Sequence, residues 1–156
     1  MSETGSRPIT GRKELDQTDK AKLIPHLEYL EREYQFFDAY RSEVDWQVYQ
    51  TQRAKRLEIE RWVECLINAT LDISKIFFVV RGEEVPETSR EILFKIGAEI
   101  CRTEKEAEEF SELAKIRNTL AHRYLDIKWN DIKRFFQIGA HLYPLFIKRI
   151  RKQIQI

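Results

Sequence analysis

Cysteine is scarce in this chain: Cys65 and Cys101 are the only two among 156 residues, and their separation matches no paired metal-binding spacing. With only three scattered histidines there is no zinc pattern, and the expectation is no metal, no cofactor and two idle thiols in a reducing cytosol. Five Gly and four Pro are too few for a loop-rich sandwich. No apolar run approaches the roughly 20 residues that span a bilayer, and the first residues lack a signal peptide's hydrophobic region. A cytoplasmic protein that makes no membrane contact is therefore expected. Charge of one sign is also missing: 27 basic and 26 acidic side chains leave a formal net charge of +1. Without a global basic field, any nucleic-acid binding has to come from a local patch. The sequence holds no internal repeat and no Gly-rich phosphate loop.

What is present is 42% hydrophobic and 34% charged residues, a balance that suits long amphipathic helices, and the fold class read from it is all-α. The length fits one domain with a substantial core. Residues 1–20 hold two Gly, one Pro and few apolar side chains and read as a flexible tail, leaving 21–156 as the helical domain. Leu23, Leu27, Leu30, Tyr34, Phe37 and Tyr40 recur at three or four residues and predict a helix from about Ala21 to Arg41, with Pro25 and His26 at its start. A second helix is expected from about Asp45 to Val80, on the order of 50 Å long. Gly82 is placed to end it as a left-handed cap. Thr88-x-x-Glu91 and Thr103-x-x-Glu106 are capping-box patterns that open a third and a fourth helix. Asp126 or Asn130 would cap a fifth, striped by Ile132, Phe135, Phe136, Leu142, Phe146 and Ile150, with Pro144 as a kink.

Near the end of the fourth helix lies Arg117-Asn118-Thr119-Leu120-Ala121-His122-Arg123-Tyr124. Phe110, Leu113, Arg117 and Leu120 keep helical spacing, so Arg117 takes a position where an apolar residue is expected, and its guanidinium needs a partner. Asp72, at the edge of the apolar sector of the second helix, and Glu64 are the candidate supporting carboxylates. Asn118 and His122 are four apart and share a helix face, whereas Arg117 and His122 are five apart, about 140° round the axis. The long Arg side chain, an early end to the helix or a second copy of the chain could each bring them together. Arg134 and His141 also fit a loose Arg-to-His spacing, but no Asn follows that Arg, and their seven-residue offset merely places the two on one face of the last helix.

The string RNTLAHRY, late in a helical chain of this length, resembles the HEPN superfamily, and more narrowly the HepT toxins. The resemblance runs from roughly Leu23 to Ile150. It implies an antiparallel bundle of about five helices, a homodimer, and a metal-independent endoribonuclease with Arg117, Asn118 and His122 as its catalytic residues. It further implies the toxin of a type VII toxin–antitoxin pair, whose partner is an MNT-type nucleotidyltransferase antitoxin that transfers AMP to Tyr124. The alternative is a HEPN-type binding subunit that partners a nucleotidyltransferase without cleaving RNA.

The residue types suit that chemistry. RNA carries its own nucleophile in the 2′-hydroxyl, so cleavage needs a base, an acid and positive charge beside the phosphorane. A His titrating near neutrality can perform either proton transfer, and the planar Arg fork matches phosphate oxygens. One chain supplies one such His. A two-fold dimer would supply two.

Overall fold

The computed structural model describes residues 14–122 and 128–155. Among these residues all regular structure is helical: α1 (Gln17–Tyr34), α2 (Phe37–Glu43), α3 (Trp46–Thr51), α4 (Arg53–Val80), α5 (Ser89–Ile100), α6 (Glu104–Ala121) and α7 (Trp129–Ile154). Five of them have twelve residues or more, as expected of an all-α bundle.

Several ends depart from the sequence reading, each for a local reason. α1 begins at Gln17, four residues before Ala21, because Asp16 and Asp19 form a capping box: the Asp19 N–H donates to Asp16 Oδ1 at 2.8 Å and the Asp16 N–H to Asp19 Oδ2 at 3.2 Å. Pro25 lies inside α1, so no N–H is available for the Ala21 carbonyl, yet the helix continues. The chain turns at Gln35–Phe36 before α2, which splits the single expected helix in two. α7 starts at Trp129 without a side-chain cap, so Asn130 lies within the helix, while Asp126 falls outside the described residues.

The long second helix is also broken, at Gln52, where φ −107° and ψ 92° leave the helical region. In one straight helix Tyr49 and Glu60 would stand about 16 Å apart along the axis, beyond hydrogen-bonding reach. With the break, α3 folds back and the fully buried Tyr49 hydroxyl donates to the buried Glu60 carboxylate. The same hydroxyl accepts the backbone N–H of Lys128 at 3.0 Å. α3, α4 and the start of α7 are thereby tied at one point.

α4 ends as expected. Gly82 has φ +73°, its N–H bonds Val79 O at 3.0 Å, and the Glu83 N–H bonds Phe78 O at 2.9 Å, which is the Schellman pattern. Beside it the buried Arg81 makes a bidentate pair with Glu99 at 2.9 and 2.8 Å, its guanidinium 5.0 Å from the Phe77 ring centroid.

Pairing between helices follows from contacts. Trp62 donates to Glu33 O at 3.0 Å while Pro25 and His26 share a groove with Ala69 and Asp72, so α1 and α4 are antiparallel. α5 and α6 form a tight antiparallel hairpin. A Cβ on Gly97 would fall 3.1 Å from the Ala107 Cα, so the close approach depends on a residue without one. Arg134 with Glu112 and His141 with Glu106 make α6 and α7 antiparallel. Trp62 meets Phe135 at 5.7 Å and Thr70 hydrogen-bonds Tyr143 at 2.9 Å, so α4 and α7 run parallel. The consequence is directional: the C-terminal end of α6 lies at the same end of the bundle as the starts of α4, α5 and α7. Between them Leu66, Phe110, Leu113, Phe135, Tyr143 and Phe146 form part of a continuous buried core.

Candidate active site

α6 is fixed at its start by the Thr103 and Glu106 capping box, with the Glu106 N–H donating to Thr103 Oγ1 at 3.1 Å and the Thr103 N–H to Glu106 Oε1 at 3.3 Å. Its inward face is Ala107, Phe110, Leu113, Ala114, Ile116 and Leu120. Arg117 stands at the rim of that face, half-buried, with Asn118 and His122 exposed beside it. The helix ends at Ala121. His122 is its C-cap, with φ −105° and ψ 40°, and its N–H bonds Thr119 O at 3.1 Å in a tightened last turn.

Two hydrogen bonds join the three candidates through Asn118. Arg117 Nη2 donates to Asn118 Oδ1 at 3.0 Å, and His122 Nδ1 lies 2.9 Å from the Asn118 backbone oxygen. A carbonyl only accepts, so this bond places the proton on Nδ1 and leaves the lone pair of the neutral ring on Nε2, the arrangement a general base requires. The five-residue offset between Arg117 and His122 is thus bridged without the two groups facing each other. Of the possibilities left open by the spacing, the helix does end at His122. Arg117 also donates to Ser89 Oγ, at a longer 3.4 Å.

Ser89 is a neighbour that sequence reasoning missed. It is the first residue of α5, set by Thr88, whose hydroxyl accepts the Glu91 N–H at 3.1 Å. The Glu91 carboxylate takes the Thr88 hydroxyl at 2.9 Å, so only one half of that expected capping box forms. The capping signal located α5, but nothing local links Ser89 to an arginine 28 residues away.

The supporting carboxylates fare differently from the motif. Asp72 is exposed in the groove between α1 and α4, walled by Pro25, His26, Tyr29, Cys65, Asn68 and Ala69, and none of Arg117, Asn118 and His122 lines that groove. Thr70 touches Tyr143, which packs on Phe110, so that stretch of α4 is level with Phe110, about two turns before Arg117. Because α4 and α6 run in opposite directions, Asp72 is further still, and the geometry gives it no route to the arginine. Glu64 is half-buried and nearer the level of the motif. Tyr124, with Arg123, lies outside the described residues.

The second Arg-to-His pair has a different role. Arg134 bonds Glu112 at 3.0 and 2.8 Å, and His141 Nε2 stands 2.6 Å from Glu106. Both are latches between α6 and α7, with the Arg134 bond holding the Glu112 carboxyl below the usual carboxylate range. Among the described residues no cluster of three His, Cys, Asp or Glu could hold a metal ion, and no helix is long and apolar enough to cross a membrane.

A family model described as ribonuclease HepT-like matches residues 30–150, a span that includes α4 to α6 and the whole Arg117-to-Tyr124 string. The chain belongs to the HepT-like ribonuclease family of the HEPN superfamily. Curated proteins provide no match. Membership points to a ribonuclease toxin, and the described residues joined through Asn118 are a guanidinium, an amide and an imidazole, groups of the kinds that phosphodiester chemistry employs.

Proposed function

We propose that this HepT-like chain is the toxin of a type VII toxin–antitoxin pair, a cytoplasmic homodimeric endoribonuclease that uses the RNA 2′-hydroxyl as nucleophile and needs no metal. The observation that carries the reading is the double use of Asn118: its side chain orients Arg117 while its backbone carbonyl orients His122. In the proposed reaction His122 Nε2 takes the 2′-hydroxyl proton as the 2′-oxygen attacks phosphorus. Arg117 neutralises the phosphorane oxygens with its planar fork. The bond from phosphorus to the 5′-oxygen breaks, and the leaving oxygen takes a proton from the imidazolium of the second copy's His122. The products are a 2′,3′-cyclic phosphate and a 5′-hydroxyl. Glu64 is the remaining candidate for a supporting carboxylate.

Control is assigned to Tyr124, as the residue to which a cognate nucleotidyltransferase antitoxin transfers AMP. The adduct would add bulk and negative charge two residues beyond His122, where substrate phosphate has to approach.

The experiment is RNA cleavage with and without EDTA, by wild type, His122→Ala and Arg117→Ala, with the product ends analysed. Cleavage that survives EDTA, leaves cyclic phosphate ends and disappears in both variants is expected; a strict requirement for a divalent metal would remove this mechanism. Intact mass after incubation with the antitoxin and ATP should show AMP on wild type and none on Tyr124→Phe, which should still cleave.

A further inference from the structure

We infer that Trp46, backed by Trp129, is a stacking platform for a nucleobase of single-stranded RNA, at the same end of the bundle as the group that acts on the scissile phosphate. The inference rests on the ribonuclease reading above and assigns a substrate-binding surface to that site.

Trp46 opens the short helix α3 and is 44% exposed, although the ring below it is committed to the fold. Its centroid lies 6.0 Å from that of Trp129, and it stacks on the fully buried Tyr49 at 6.4 Å with an interplanar angle of 26°. Trp129 in turn packs on Tyr49 at 5.0 Å. The inner side of Trp46 is therefore supported by two rings while nearly half of the side chain faces solvent. The Tyr49 hydroxyl, held by Glu60 and by the Lys128 N–H, anchors this group to the start of α7. A surface aromatic fixed in this way offers a π-face at little further cost in side-chain entropy.

Register places the platform at the level of the catalytic candidates. Across the antiparallel α6 and α7, Arg134 is paired with Glu112. Five residues back along α7 is Trp129, and five residues on along α6 is Arg117. The platform and the Arg117–Asn118–His122 group thus stand at one height, at the same end of the bundle. Cations are present there too. Arg53 is exposed at the start of α4, and Arg56, half-buried, caps the Tyr49 carbonyl at 3.1 Å. A polyanion at this end of the bundle meets these two cations beside the exposed Glu43 and Asp45, the latter engaged in capping α3 through the Val48 N–H. A groove formed by Phe78 and Phe94 is rimmed by Glu83, Glu84 and Glu99 against the single cation Lys95, a balance that disfavours phosphate. Stacking tolerates any base because every base has a π-face, so the platform would contribute affinity and register more than sequence choice.

The test separates this proposal from the ribonuclease reading by measuring binding where cleavage is silent. A fluorescent single-stranded oligouridine is titrated into His122→Ala and into the same variant carrying Trp46→Ala, Trp46→Leu or Trp46→Phe, with light scattering on each. Ala and Leu should weaken binding by roughly 5- to 150-fold, and Phe should restore most of it, at unchanged oligomer size. In the cleaving background Trp46→Ala should raise KM and leave kcat nearly unchanged, the signature of lost uniform binding. Equal affinity for the Ala, Leu and parent proteins overturns the platform while leaving the nuclease intact. A change of oligomer size in Trp46→Ala overturns it in favour of a protein interface. Absence of any RNA binding by the parent His122→Ala protein overturns the ribonuclease reading and the platform with it.

Discussion

Replacing Asn118 by Ala separates two functions that the structure assigns to a single residue. The substitution deletes Oδ1, the acceptor of the 3.0 Å bond from Arg117, and retains the backbone oxygen that holds His122 Nδ1. A hydrogen bond to a charged group is worth about 1.5–3 kcal/mol, and exposure of Asn118 argues for the lower part of that range. At about 1.4 kcal/mol per factor of ten, kcat/KM for RNA cleavage should fall roughly 10- to 30-fold. The pH dependence should not move, because the bond that orders the imidazole is untouched. Thermal stability should fall by no more than the energy of that one bond, because Asn118 is exposed and its truncation leaves no buried group unpaired. The assay is cleavage of a defined oligonucleotide from pH 5 to 9, with a melting curve as control. Full activity in Asn118→Ala would refute the claim that Asn118 orients Arg117. A displaced limb of the pH profile would refute the claim that the backbone, and not the side chain, sets the histidine.

Glu112 has its carboxyl depressed in the folded protein, chiefly by the hydrogen bond from Arg134, so the unfolded chain binds more protons in acid; its contribution is fully present above about pH 5 and is lost as pH falls through the depressed value. Glu112→Gln should flatten the acid limb of a stability-versus-pH curve measured by urea unfolding, with little change at pH 7 in its slope. Truncating Glu99 to Ala leaves the buried Arg81 without its bidentate partner and should cost about 3–5 kcal/mol in chemical denaturation, whereas a loss under 1 kcal/mol would mean that water already reaches the guanidinium. Burial, with Glu106 and Glu109 nearby, pushes the Cys101 thiol up to about 11, so its alkylation by iodoacetamide should be slow at pH 8 and accelerate only as pH approaches that value.

Local signals in the sequence were good guides to the helices they govern. Gly82 ends α4 in the expected left-handed conformation, and Thr103 opens α6 with the full capping box, because both are decided by a few adjacent residues. The breaks at Gln35–Phe36 and Gln52 carry no Gly or Pro. The second arises from a contact between Tyr49 and Glu60 that only the folded chain makes, which periodicity cannot register. Pro25 reads as lying at the beginning of the first helix, yet the helix starts eight residues earlier and buried Leu23, Leu27 and Leu30 carry α1 across it. At the site, the motif itself was legible as a string. Its partner Ser89 was not, since that contact crosses 28 positions between two helices. Asp72 was chosen from its place on a helical wheel, and a wheel gives the face of a residue but not its height in the bundle.

The placement of Arg117, Asn118 and His122 on the rim and exposed end of α6 has an evolutionary consequence. The buried stripe that holds the bundle together is formed by their neighbours Leu113, Ile116 and Leu120. On the proposed reading, chemistry and foldability are encoded on different sides of the same helix. A single exchange at His122 would then abolish proton transfer at little expense to the core, so a lineage could shed cleavage in one step and keep an intact scaffold for binding.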